Sequence, residues 1–121
     1  MTLEVLPMEF TVCKLPPKAA ADFSVPFTFV SRTDEELSLV CPAEAVPENA
    51  LAAEKGFRCL RVRGPLDFSL VGILAGIASC LSAEGISLFA VSTYDTDYLL
   101  VKKESLPQAV RALGRQGYAV E

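Results

Sequence analysis

The chain has 121 residues, 51% of them hydrophobic, and a mean hydropathy of +0.37, so it can bury one substantial core and is not disordered. Its net charge is −4 and its 11 lysines and arginines are widely spread, which excludes the electrostatic attraction that nucleic-acid binding requires. The longest apolar stretch, 68–81, is shorter than the roughly 20 residues of a membrane-spanning helix. Since residues 1–4 also lack the features of a signal peptide, we expect a cytoplasmic protein without a membrane partner.

The four cysteines have no metal-binding or catalytic context. They stand singly, and the chain has no histidine to complete a zinc site or to activate a cysteine nucleophile. We therefore expect four reduced, buried thiols, no metal and no cofactor. Because a nucleotide-binding glycine motif is also missing, the sequence predicts a protein that is not an enzyme.

The first half contains strand patterns but no clear helix. Alternation of apolar and polar residues predicts strands at 3–6 and 9–14. Pro16 and Pro17 follow and prevent a helix from continuing there. For the rest of this half we predict a helical turn at 19–23, hairpin strands at 27–31 and 37–41, a broken helix at 43–53 and a strand at 57–62.

The second half has a complete alternation of strands and helices. Asp67 is placed to cap a helix at 69–83, where apolar residues recur at helical spacing. Ser105 is placed to cap a second helix, with Pro107 in its first turn. The strands are predicted at 58–63, 86–91, 98–101 and 118–120. The order strand, helix, strand, strand, helix, strand is that of a ferredoxin-like unit in an α+β protein.

One face of the first predicted helix is unusual because it carries only small residues. These residues are Ser69, Gly72, Gly76, Ser79 and Ala83. A solvated helix face is normally filled by long charged side chains, so this face predicts a close neighbour. The neighbour is either a helix of the same chain or a second subunit, and the sequence leaves both open.

The sequence also contains an internal repeat. At a shift of 61 residues, the segment 30–40 aligns with 91–101 with identities at Val, Ser, Asp, Leu and Val, and at a shift of 60 Pro47 aligns with Pro107. A repeat over half of the chain indicates two similar supersecondary units. We therefore expect a continuous mixed sheet with helices on one face.

The segments 64–69 and 92–101, with the sequences Gly-Pro-Leu-Asp-Phe-Ser and Ser-Thr-Tyr-Asp-Thr-Asp-Tyr-Leu-Leu-Val, resemble the ACT-domain family. More narrowly, they resemble its small bacterial tandem-ACT proteins, which are similar to the cytosolic arginine sensors of animals. The resemblance implies two ferredoxin-like ACT units in tandem, a degenerate one at 1–60 and an ACT domain at 61–121.

The same resemblance implies a non-catalytic regulatory module that binds a small ligand, typically an amino acid, at an interface between ACT units. In that family the loop after the first strand, the start of the following helix and a T-[FY]-x-x-D hairpin segment face the ligand. The matching residues here are Gly64, Leu66, Asp67, Ser69, Thr93, Tyr94 and Asp97. We further expect a homodimer and leave open whether a separate protein is regulated.

The chemistry of these residues suits a zwitterion. Free amides at a helix N-terminus bind a carboxylate, and Asp67 or Asp97 offers an anion to an ammonium group. Each residue also has a structural interpretation, since Asp67 can cap its helix and Asp97, Thr93 and Tyr94 can serve the hairpin alone. The alternative function is an assembly or dimerisation module that binds no ligand.

Overall fold

A computed structural model of the protein describes residues 1–64 and 72–121. Its strands and α-helices are β1 (Thr2–Leu15), β2 (Phe29–Arg32), β3 (Leu37–Pro42), β4 (Ala52–Val62), α1 (Ile73–Ala83), β5 (Phe89–Ser92), β6 (Asp97–Lys102), α2 (Leu106–Arg115) and β7 (Ala119–Val120). Short 3₁₀ helices follow β3 and β6, at Ala43–Ala45 and Lys103–Ser105.

The chain divides into two compact units. The terminal unit comprises Met1–Pro7 and Arg58–Glu121, and the middle unit comprises Met8–Phe57. Strands β1 and β4 contribute residues to both units because each is long. The domains predicted from the sequence, 1–60 and 61–121, follow the two copies of the repeat and not these two units. This division of the sequence stays a prediction.

The terminal unit contains the predicted order of elements as β4-α1-β5-β6-α2-β7. Its sheet is mixed, since β5 pairs with β6 antiparallel and β7 pairs with β1 parallel. The start of β1 lies between β7 and β4, so the N-terminal strand is an added member of this sheet. Strand patterns alone did not predict this insertion, because it depends on pairing between distant segments.

Both helices of the terminal unit pack on the same face of its sheet. The buried cluster that joins them to the strands includes Leu3, Leu60, Val62, Ile77, Leu81, Leu99, Val101 and Leu113. Side chains alternate along a strand, so Glu4, Arg61 and Tyr98 lie on the opposite face from Leu3, Leu60 and Leu99. The opposite face is only partly polar, because Leu6, Cys59 and Leu100 on that face are also buried.

The middle unit has no α-helix among its residues. Its core contains Cys13, Leu15, Leu37, Leu39 and Cys41. The predicted helical turn at 19–23 is wrong, and the predicted broken helix at 43–53 is reduced to Ala43–Ala45. Val46 ends this helix in an extended conformation because the following Pro47 disfavours α geometry at the preceding residue. The helix-forming residues 52–55 belong to β4, so strand pairing overrides their local propensity.

The two hairpins have the same turn at a spacing of 60 residues. Arg32 pairs with Leu37 at the base of one turn, and Ser92 pairs with Asp97 at the base of the other. The Thr33 amide donates to the Glu36 carbonyl over 2.9 Å, as the Thr93 amide does to Thr96 over 2.8 Å. The shift of 61 taken from the sequence is therefore one residue too long over the hairpins.

Helix α1 begins at Ile73, after Gly72 in a left-handed conformation at φ +81°. The predicted helix start, Ser69, and its predicted cap, Asp67, lie outside the described residues. A Cβ atom at Gly76 would lie 3.1 Å from the Tyr118 hydroxyl, whereas one at Gly72 would meet nothing within 4 Å. A neighbour in the same chain therefore accounts for the small residue at position 76.

We expect Gly76→Leu to destabilise the protein by about 1–3 kcal/mol, because the new side chain must displace Tyr118 from a close contact. The exposed Ser79 on the same helix provides the control, and Ser79→Leu should change the stability by no more than about 0.5 kcal/mol. Urea unfolding followed by circular dichroism measures both. Equal effects of the two substitutions would show that position 76 is not constrained by Tyr118.

Candidate functional site

An open cleft of about 510 Å³ lies in the terminal unit where β4 ends. Strands β1, β4 and β6, the two residues after β4 and the loop of the second hairpin contribute to it. Its lining residues are Glu4, Arg61, Arg63, Gly64, Asp95, Thr96 and Tyr98. This volume is in the range of clefts that bind small molecules.

An ion pair between neighbouring strands forms the floor of the cleft. The Nε and Nη2 atoms of Arg61 donate to Glu4 Oε1 over 3.2 and 2.9 Å, and both side chains are 31% exposed. Hydrogen bonds to Glu4 and Tyr98 raise the pKa of the Arg61 guanidinium above its ordinary value. Arg61 is therefore a charged group that two partners hold in one orientation.

Arg63 forms a more exposed pair. Its Nη2 atom lies 2.9 Å from Glu121 Oε1, with side-chain exposures of 56% and 58%. Exposed ion pairs contribute about 0–1 kcal/mol because water and salt screen them. An incoming anion can therefore take the place of Glu121 at little cost.

A buried threonine fixes the hairpin loop beside the end of β4. The Thr96 hydroxyl donates to the carbonyl of Val62, and Thr96 is only 7% exposed. The chain reaches Gly64 two residues after Val62. This hydrogen bond thus brings the loop and the turn after β4 to the same cleft.

The predicted hairpin residues lie around this loop but do not line the cleft. The Thr93 hydroxyl donates to the Thr96 carbonyl over 2.9 Å, which is the structural role left open by the sequence. Tyr94 is 81% exposed near the tip of the loop. Asp97 is half-buried at the start of β6, and alternation places it on the face of Leu99, away from Tyr98.

Of the predicted residues in the turn after β4, Gly64 lines the cleft. Leu66, Asp67 and Ser69 lie outside the described residues. The seven residues therefore divide into Gly64 in the cleft, three on the hairpin, and three without a described position. Their role in ligand binding stays a prediction.

Sequence reasoning missed most of the lining residues of the cleft. Arg61 and Arg63 are two residues apart in a predicted strand, so the sequence already placed both on one face. It did not identify Glu4 as the partner of Arg61, because that requires the register between β1 and β4. Asp95 and Thr96 lie between the strands predicted at 86–91 and 98–101 and were assigned no role in a site.

The cysteines are unpaired thiols. Cys13, Cys41 and Cys59 are buried as expected, whereas Cys80 is half-buried. Burial raises the pKa of Cys59 to about 12 and that of Cys41 to about 11, so both are protonated at neutral pH and poor nucleophiles. In the part of the chain that is described, no group of three or more acidic, cysteine or histidine side chains could hold a metal ion. No helix in residues 1–64 and 72–121 is long and apolar enough to cross a membrane.

A known protein family matches most of the second half of the chain. The model of the ACT-domain family matches residues 52–115, more than half of the chain. The chain belongs to the ACT-domain family. The matched residues include α1, both strands of the second hairpin and α2.

Curated relatives include the cytosolic arginine sensor for mTORC1 subunit 1 of Bos taurus, with 31% identity over 113 residues. The aligned region covers 84% of this chain and 34% of that protein. The chain thus spans about a third of the length of the curated relatives it matches. The family resemblance stated from the sequence is confirmed.

Solved structures agree with the fold. A protein of Agrobacterium tumefaciens aligns with a TM-score of 0.88 and 31% identity, over 99% of this chain and 91% of that one. The aspartokinase α and β subunits align with a TM-score of 0.65 over 95% of this chain and 96% of theirs, at 14% identity. This second similarity shows a shared fold alone.

We expect Thr96→Val to destabilise the protein by about 1–3 kcal/mol, because valine keeps the shape of threonine and leaves the Val62 carbonyl without its donor. Thr96→Ser keeps the hydroxyl and should cost no more than about 1 kcal/mol for the lost methyl group. Thermal unfolding measures both. If serine proved as damaging as valine, packing of the methyl group and not the hydrogen bond would hold the loop.

Proposed function

We propose that this chain is a non-catalytic regulatory ACT module of the cytoplasm that binds a free amino acid at an interface between ACT units. The hydrogen bond from Thr96 to Val62 carries this proposal, because it holds the hairpin loop beside the turn that begins at Gly64. Similarity to proteins named as cytosolic arginine sensors supports an amino acid as the class of ligand.

The proposed ligand residues belong to the turn after β4 and to the hairpin. They are Gly64, Leu66, Asp67, Ser69, Thr93, Tyr94 and Asp97. Backbone amides of the turn suit the carboxylate of an amino acid, and Asp97 on the helix side of β6 suits its ammonium group. Thr93 and Tyr94 then position the loop against the ligand.

We propose that a second copy of the chain supplies the other ACT unit of the interface. The arginine-sensor relatives are about three times as long as the aligned region, so one copy of this chain corresponds to only part of such a protein. The tandem of a degenerate and a complete ACT unit within each chain is part of the same proposal. The matching turns of the two hairpins support it. A regulated protein would then respond to the ligand-bound dimer.

A thermal-shift screen of the twenty amino acids at millimolar concentration tests this function. A ligand that binds only the folded state stabilises it by about 2.7 kcal/mol at a concentration one hundred times its Kd. We expect at least one amino acid to raise the Tm, and Asp97→Asn to abolish the increase. Asp34→Asn in the equivalent turn of the middle unit is the control and should leave the increase unchanged.

The alternative, an assembly module without a ligand, predicts another outcome. Sedimentation would then show a stable dimer, and no amino acid would change its Tm or its assembly. If the increase in Tm persisted in the Asp97→Asn variant, the protein would bind an amino acid but Asp97 would not be part of the site.

A further inference from the structure

We propose that a small cavity of the middle unit binds a short-chain aliphatic amine, with its carbon chain against β3 and its ammonium group at Asp22. The cavity has a volume of about 110 Å³ and is more enclosed than the cleft at the end of β4. Its lining residues are Asp22, Val25, Thr28, Leu39, Cys41, Ala45 and Pro47. None of these residues belongs to the proposed regulatory site.

The sheet of the middle unit supplies one wall of the cavity, and two connecting segments supply the rest. Leu39 and Cys41 share one face of β3 and are 3% and 1% exposed. The other lining residues belong to the loop before β2, at 22–28, and to the connection after β3, at 45–47. An α-helix packed on this face would fill the space, but neither connection is an α-helix.

The loop before β2 is anchored by contacts outside the cavity. Phe27 has a φ of +64°, which is strained for a residue with a side chain, and its ring packs edge-to-face on Phe10 with the ring centroids 6.3 Å apart. The Thr28 hydroxyl donates to the Val25 carbonyl over 2.7 Å and closes the turn that contains Phe27. These contacts limit how far the loop can move toward β3, which preserves the space between them.

The volume of the cavity sets the size of the carbon chain. An apolar cavity of about 150 Å³ holds benzene, so a cavity of about 110 Å³ holds roughly four carbon atoms. The Thr28 hydroxyl already donates to Val25, and burial raises the pKa of Cys41 to about 11, so this thiol is uncharged at neutral pH. An aliphatic chain therefore fills the cavity without separating a charged group from water.

The charge of the lining selects an amine. Among the described residues around the cavity, only Asp22 is charged. Its Oδ1 atom accepts from the Ser24 hydroxyl over 2.6 Å and from the Ser24 amide over 2.9 Å, which orients the carboxylate and lowers its pKa. These bonds leave Oδ2 to accept from an ammonium group. Since no cation in this described lining neutralises a carboxylate, a free amino acid fits less well than the corresponding amine.

Isobutylamine and L-valine provide a matched pair of probes, because they share one carbon chain and differ by a carboxylate. Titration of ¹⁵N-labelled protein followed by NMR measures their binding. We expect saturable shifts of the Val25, Thr28 and Cys41 amides with isobutylamine. L-valine, and isovalerate with a carboxylate in place of the amine, should bind at least about tenfold more weakly. Isobutanol, which has the same chain and no charge, should shift the same amides with an intermediate affinity.

Substitutions around the cavity separate the role of the charge from that of the space. Asp22→Asn keeps an acceptor for Ser24 and removes the charge, so it should weaken isobutylamine at least about tenfold and leave isobutanol unchanged. Glu48→Gln, at an exposed position beside Pro47, is the control and should change neither. Ala45→Leu fills the cavity and should abolish the binding of both probes. Circular dichroism confirms that each variant is folded.

Two outcomes would overturn the proposal. One is the absence of saturable shifts around the cavity with isobutylamine at millimolar concentration. The other is an affinity for L-valine equal to that for isobutylamine, or an affinity for isobutylamine that Asp22→Asn does not change, because Asp22 would then not select the ligand. Asp97→Asn should leave the shifts at Val25 and Cys41 intact whatever it does to the Tm response, so this proposal and the regulatory site fail independently.

Discussion

One buried hydrogen bond attaches the loop of the second hairpin to the end of β4 in the terminal unit. The carbonyl of Val62, at the last residue of β4, accepts from the Thr96 hydroxyl in a place shielded from water. A buried carbonyl left without a donor costs about 1–3 kcal/mol, so the loop has one strongly preferred position. Because Arg63 and Gly64 follow Val62 directly, the same bond keeps the hairpin loop next to the residues at the end of β4.

The middle unit shows what the same turn does without that bond. Its hairpin has the same backbone closure between Thr33 and Glu36, and Thr33 also accepts hydrogen bonds from the Glu35 and Glu36 amides. The position equivalent to Thr96 is Glu36, which is exposed. Turn geometry is therefore common to both hairpins, while the buried hydroxyl is particular to one of them. The turn forms through local hydrogen bonds between a threonine and the three residues that follow it. The attachment to β4 is a tertiary contact between residues that are distant in the sequence.

Local patterns predicted the terminal unit well, because helical spacing and alternation are properties of consecutive residues. They were less successful where a distant partner decides the conformation. Residues 52–55 favour a helix by composition but extend β4, and Pro47 permits only a short 3₁₀ helix before it. In the site, Gly64 was predicted, whereas Glu4 was not, because it pairs with a residue 57 positions away. Burial of Thr96 likewise depends on a carbonyl 34 positions away. The sequence predicted that the hairpin loop and the turn after β4 lie together. Which charged side chains line the cleft depends on the register of the strands, and local patterns do not give that register.

The loop of the second hairpin connects the two faces of the terminal sheet. Asp95 belongs to the lining of the cleft and Asp97 shares the face of Leu99, yet only Thr96 separates them in the chain. Because the Thr96 hydroxyl is bonded to the Val62 carbonyl, the backbone on both sides of Thr96 is held beside the end of β4. A loop that is already held in place loses less conformational entropy when a further contact forms on either face.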